Sequence, residues 1–197
     1  VTDTDASSVP PALRAEALEQ LLTERGLIDP KIVDGIVATY TTRVGPLNGA
    51  TVIATAWTDP EYRRWLLQDA TEAIRHFGFL GAQTEYVVVV ENTATQHHVV
   101  VCTLCSCYPW QLLGLPPSWY KDPAYRSRMV KEPRTVLAEM GLDLSEVVQI
   151  TVHDSSSEVR YLVLPERPPG TEGLSRDRLV PLITREAMVG VAKVQAP

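Results

Sequence analysis

Long apolar runs are missing from this chain: no stretch approaches the roughly 20 residues that cross a bilayer. Basic charge is in deficit too, with 18 Lys and Arg against 24 Asp and Glu, a formal net charge of -6. That balance leaves no basic stripe to neutralise phosphates, so nucleic acid is not an expected partner, and neither is a membrane. Cysteine is scarce, and all three fall between Cys102 and Cys107. An odd, tightly clustered set makes a poor disulfide framework and points to a metal claw. The opening residues 1–11 are polar and acidic, with neither the charged nor the apolar region of a secretory signal, so the expected compartment is cytoplasmic. There is no glycine-rich phosphate loop, no Ser-His-Asp arrangement, no interleaving of aromatic and basic residues, and no internal repeat. What remains is a chain of 197 residues, 45% hydrophobic, of a size that buries a core without staples.

Over 11–26, Leu13, Ala17, Leu18, Leu21 and Leu22 fall at helical spacing, and Gly26 suits a C-terminal cap. A second helix is expected from Asp29-Pro30, placing Ile32, Val33, Ile36, Val37 and Tyr40 on one face. Proline is tolerated there because a first-turn N–H has no intrahelical acceptor. Two helices without a strand between them predict an N-terminal arm over 1–45 that packs on a partner subunit. The remainder, 46–197, is assigned to a catalytic metal-binding domain. A helix over 58–77 is expected, with Thr58 as cap, Asp59 and Glu61 opposing the dipole and Gly78 as its end. Its stripe is Tyr62, Leu66, Ala70, Ala73, Ile74 and Phe77.

The β-branched runs 86–90 and 98–101 read as strands, the first well buried. The cysteines follow the second strand directly and so belong on a loop leaving it. A helix over 132–140, strands over 147–153 and 159–164, and a last short helix capped by Ser175 complete the pattern; Pro181 limits that helix. Segregated helices and strands predict an α+β fold, a helical arm followed by a layered α-β-β-α domain, over a doubly wound parallel sheet.

The cysteines read Cys-x-x-Cys-x-Cys. Cys102 and Cys105 are close enough to hold one ion from a single turn. Cys107 then sets the amides of Ser106 and Cys107 beside that ion. A strongly Lewis-acidic trivalent metal displaces such amide protons, giving three sulfurs, two nitrogens and an open sixth position. Spacing alone favours a blander use, a structural zinc held by three thiolates and one of His97, His98 or His153. A thioredoxin-like redox pair is the weaker alternative, because Pro109 follows closely and no helix begins at the cysteines.

The surrounding residues shift that balance. Val101-Cys102-Thr103-Leu104-Cys105-Ser106-Cys107-Tyr108-Pro109-Trp110 resembles the metal-binding motif of nitrile hydratase α subunits at every position. The likeness extends to Ala56-Trp57-Thr58-Asp59-Pro60-Glu61, Val90-Glu91-Asn92-Thr93, Leu113-Gly114-Leu115-Pro116-Pro117 and Tyr125-Arg126-Ser127-Arg128. It continues through Asp154-Ser155-Ser156-Ser157-Glu158 and Pro169-Gly170-Thr171-Glu172-Gly173, spanning roughly 40–192.

That resemblance implies a non-corrin Co(III), with Fe(III) the lesser alternative, because Thr103 and Tyr108 match the cobalt-type pattern. It implies Cys102 as axial thiolate, Cys105 as sulfinate and Cys107 as sulfenate, with the Ser106 and Cys107 amides as nitrogen ligands. It also implies hydration of a small nitrile to the amide, a β subunit supplying arginines to the oxidised sulfurs, and an activator protein that inserts the metal. Cys107, Ser106 and Gln83, nineteen residues before Cys102, are the implied catalytic set. Tyr108 and Trp110 are implied in the pocket, and Asp154 and Arg160 near the claw and subunit interface.

Each has an ordinary counterpart: a solvated loop glutamine, a packing aromatic, a surface charge pair worth about 0–1 kcal/mol. His97 and His98 read as structural. Few spare arginines stand near the claw in the chain. Thr55, Gln111 and Leu174 replace a basic residue, a proline and a tryptophan of the common pattern. These departures leave open a specialised member such as a toyocamycin nitrile hydratase. Thiocyanate hydrolase, which shares the claw and whose likeness includes Gly45-Pro46-Leu47, is the enzymatic rival. A non-catalytic zinc module is the other.

Overall fold

A computed structural model describes residues 9–40, 44–80 and 86–197. Helices α1 (Pro11–Glu24) and α2 (Pro30–Thr39) form where the apolar spacing predicts, the second capped by Asp29, whose carboxylate accepts the Lys31 N–H. Neither buries a residue within this chain. Leu13, Leu18, Ile32 and Ile36 stay exposed.

Helix α3 (Leu47–Thr58) carries its polar residues Asn48, Thr51, Thr55 and Thr58 on one face, and the sequence reading missed it. Gly49, Ala50, Val52, Ile53, Ala54 and Ala56 are all buried, so α3 is the central helix of the core. The helix expected over 58–77 is two helices, α4 (Pro60–Gln68) and α5 (Ala70–Arg75). Aspartates make the breaks. Asp59 accepts from the N–H groups of Glu61 and Tyr62, and Asp69 accepts from Glu72. Each side chain replaces a backbone acceptor and restarts the helix. Thr58 is therefore not a cap; it closes α3 with its hydroxyl on the Ala54 carbonyl, 2.9 Å away. The expected stripe survives the break, with Tyr62, Leu66, Ala70, Ala73 and Ile74 buried.

Strand β1 (Tyr86–Glu91) pairs in parallel with β4 (Val159–Leu164), and β2 (Gln96–Val101) in parallel with β3 (Gln149–Asp154). Among the described residues these form two separate two-stranded sheets, so the fold is α+β, as expected. The strand β1 is half-buried rather than well buried: Val87 and Val89 face the core, while Tyr86 is 72% exposed. Between β2 and β3 lie the short helices α6 (Trp110–Leu113), α7 (Ser118–Lys121), α8 (Pro123–Met129) and α9 (Pro133–Glu139). After β4 come α10 (Arg176–Leu179) and α11 (Arg185–Val189). Ser175 stands before α10 without a side-chain cap bond, a 3-10 turn carries Pro181, and the last helix is capped instead by Thr184.

The register places the site. Val101 pairs with Asp154, so the chain leaves β2 into the cysteines just where β3 ends in a carboxylate.

Candidate metal centre

The three cysteines follow β2 on an irregular loop, with their sulfurs within 4.8 Å of one another. Cys102 is buried at its root, Cys105 is exposed at its tip, and Cys107 is buried again. The Cys105 Sγ lies 3.5 Å from Cys102 Sγ and 3.1 Å from Cys107 Sγ. The Cys105 N–H also donates to Cys102 Sγ at 3.3 Å, which curls the loop around the first sulfur.

The two outer thiols are electrically unlike. Hydrogen bonds from Cys107, Cys102 and the Ser106 backbone bring Cys105 down to about 7. Burial first, then the bond to Cys105, pushes Cys107 up to about 12, against the pull of Arg160.

Four side chains from other elements hold the loop. Asp154 at the end of β3 accepts the Thr103 N–H at 2.9 Å and the Thr103 hydroxyl. Tyr120, fully buried on α7, donates to the Cys107 carbonyl at 2.9 Å. Tyr125 on α8 donates to the Val100 carbonyl at 3.0 Å, fixing the strand just before the claw. Arg126, its neighbour, donates to the Cys105 carbonyl at 2.5 Å.

A cavity of about 370 Å³ opens on the loop, lined by Tyr40, Cys105, Ser106, Cys107, Tyr108, Trp110, Gln111 and Arg160. Tyr108, Trp110 and Ser106, singled out in the sequence, are all among its lining residues. Tyr108 packs edge-on to Tyr120 at 4.9 Å, and among the described residues its buried hydroxyl meets no hydrogen-bond partner. Trp110 is half-exposed and meets Tyr40 edge-on at 6.0 Å.

Sequence reasoning missed Tyr40 as a wall of this cavity, because a tyrosine at the end of an apolar helix face reads as packing. Arg160, implied near the claw by the resemblance, lines the cavity, and Arg126, which was given no role, reaches the claw from α8. Gln83 lies outside the described residues.

The histidines stand apart. His97 is bonded to the Gly190 carbonyl at 2.7 Å and to Asn92, and His98 to His153 at 2.9 Å. Among the described residues, the one group of three or more metal-binding side chains is the cysteine trio, with no histidine in it.

Three sulfurs converging on one point, beside two backbone amides and an open cavity, fit a single metal ion. The family model for the nitrile hydratase α chain matches residues 9–192. The high-molecular weight cobalt-containing nitrile hydratase subunit alpha of Rhodococcus rhodochrous is 52% identical over 185 residues, covering 93% of this chain and 91% of that one. Thiocyanate hydrolase subunit gamma of Thiobacillus thioparus is 42% identical over 187 residues, covering 89% of this chain and 76% of that one. A histidine double mutant of the Fe-type nitrile hydratase from Comamonas testosteroni superposes with a TM-score of 0.85 at 40% identity, covering 96% of this chain and 94% of its own. With the cysteine trio in place and the likeness running from residue 9 to residue 192, this chain belongs to the nitrile hydratase α-chain family.

Proposed function

We infer that this chain is the catalytic α subunit of a cobalt-type nitrile hydratase, converting a nitrile to its amide. The observation that carries the reading is the trio of convergent cysteine sulfurs opening on a cavity walled by Tyr40, Tyr108 and Trp110. The cobalt-containing Rhodococcus relative, nearer in sequence than the Fe-type structure, supports cobalt over iron.

Cys102 holds the buried position as thiolate, and Cys105 and Cys107 the cavity side as sulfinate and sulfenate. The amide nitrogens of Ser106 and Cys107 complete the set. Co(III) held by these groups would supply Lewis acidity toward a nitrile without a change of redox state. Oxygen on Cys105 and Cys107 draws charge from sulfur and gives the cavity an anionic oxygen on Cys107, a base or nucleophile toward the nitrile carbon. Arg160 lines the same cavity and lowers the cost of that negative charge. The aromatic walls shape the cavity around the reacting carbon, and Gln83 orients the water that is used.

The arm, 1–45, is assigned to a β subunit, since its two helices bury nothing on this chain. That partner supplies further donors to the oxidised sulfurs, and an activator protein delivers the metal.

Thiocyanate hydrolysis is the second reading, favoured by Gly45-Pro46-Leu47. Lower identity and poorer coverage of that relative weigh against it. Elemental analysis and intact mass of the chain purified with its partner test the assignment. Cobalt at about one per chain, with two oxygens on Cys105 and one on Cys107, is the expected result. Nitriles should give amides; release of ammonia and carbonyl sulfide from thiocyanate would transfer the chain to the rival activity. Zinc on unmodified cysteines, with no gain of nitrile hydration after cobalt, air and partner are added, would sink the enzyme reading.

A further inference from the structure

Arg126 is the side chain whose position the sequence did not explain. It stands on α8, 21 residues beyond the claw's exposed cysteine, and its NH1 donates to the Cys105 carbonyl at 2.5 Å. Arg128, on the same helix, is tied into ion pairs with Glu132 and Glu139. Arg126 makes no ion pair of that kind among the described residues, and its buried Nε has no hydrogen-bond partner among them. Its one described bond ends on the claw.

The chemistry of that acceptor matters. The Cys105 carbonyl and the Ser106 N–H belong to one planar peptide, so charge placed on the nitrogen is shared with the oxygen by resonance. When the Ser106 nitrogen becomes a ligand, the N–H bond breaks, the proton passes to water, and a nitrogen–metal bond forms. The peptide then carries one more negative charge, partly on the oxygen that faces Arg126. A guanidinium on an anionic oxygen is a charge-assisted bond, about twice the strength of a neutral one.

We propose that Arg126 is a positioning residue for metal capture, holding the Cys105–Ser106 peptide with its nitrogen toward the sulfurs and balancing the charge that ligation leaves on its carbonyl oxygen. The inference rests on the claw reading above. It is distinct from the partner's contribution, because it acts on the backbone of the claw and comes from this chain.

The test uses the α chain with its partner, expressed with cobalt, comparing Arg126→Gln and Arg126→Lys with Arg128→Gln as a control on the same helix. Cobalt per chain, the rate of cobalt loss to a chelator, and the sulfur-to-cobalt charge-transfer absorption are measured, beside thermal unfolding. Arg126→Gln is expected to lose cobalt about tenfold faster, the scale of a charged hydrogen bond, and to shift the absorption. Arg126→Lys should fall between it and the parent, and Arg128→Gln should match the parent. If Arg126→Gln fails to fold, the Lys variant decides: cobalt release at the parental rate overturns the proposal. Parental release from a folded Arg126→Gln overturns it equally. A parent that carries no cobalt defeats the claw reading instead, so the two failures are told apart.

Discussion

Substituting Gly190 by alanine should destabilise this protein far more than the same change at Gly141, although the two glycines share φ = +89°. A left-handed conformation costs an L-residue about 1–2 kcal/mol, and that penalty is common to both. At Gly141 a new Cβ meets nothing within 4 Å. At Gly190 it would stand 2.1 Å from the His98 carbonyl oxygen and 2.9 Å from the Val99 Cα. Both are backbone atoms of β2, held on their other side by the ladder to β3, so the overlap cannot be relieved by turning a side chain. The displaced Gly190 carbonyl would also leave His97 without its 2.7 Å partner.

Overpacking adds about 1–3 kcal/mol, giving roughly 2–5 kcal/mol in all for Gly190→Ala against about 1–2 for Gly141→Ala. At about 2–4 °C per kcal/mol for a protein of this size, the first should lower the unfolding midpoint by about 4–20 °C and the second by about 2–8 °C. Thermal unfolding of the purified variants reads the difference directly, and metal content reads its consequence, because β2 runs into Cys102. Equal midpoint losses would refute the claim that β2 is wedged against the end of α11.

Acid should weaken the fold through its histidines. Asn92 Oδ1 accepts the His98 N–H at 2.7 Å, which turns Asn92 Nδ2 toward His97 Nδ1. That ring nitrogen must therefore accept, while Nε2–H donates to the Gly190 carbonyl, and the imidazole is held neutral. Burial lowers the pKa of His97, His98 and His153 below the ordinary 6.5. A lowered histidine leaves stability whole above about 6.5, and the unfolded chain gains the extra protons below it, so stability falls as pH drops toward the folded values. A denaturation midpoint that holds steady from pH 8 down to about 5 would contradict this. Asp154→Ala should speed cobalt release about fivefold, the modest scale of exposed hydrogen bonds that water partly replaces, while Asp154→Asn keeps an acceptor for the Thr103 N–H and loses less. Release to a chelator separates them, and indistinguishable rates for Ala and the parent would remove Asp154 from the claw's support.

What could be read from the chain follows from how each feature is encoded. The claw was legible because its donors are neighbours in sequence, where spacing alone brings Cys102, Cys105 and Cys107 together. Strands β3 and β4 were legible as β-branched runs. Helix α3 was not, because its polar face, Asn48, Thr51, Thr55 and Thr58, carries no charge and its threonines favour strand more than helix. The break at Asp69 was hidden because the apolar stripe continues across it, and only the cap bond to Glu72 shows that the helix restarts. Parallel pairing, and with it the meeting of Val101 and Asp154, depends on crossovers that local pattern does not specify.

The donors are therefore a local property and their charge environment a global one. Arg126, Arg160 and Tyr40 come to the claw from α8, β4 and the end of α2, positions that the spacing of the cysteines does not specify. Tyr40 has the widest consequence. It ends α2, whose apolar side chains are left exposed on this chain, and its ring meets Trp110 at the mouth of the cavity. Tyr40 thus joins the exposed apolar side of α2 to the wall of the cavity, a link that folding makes and local spacing does not encode.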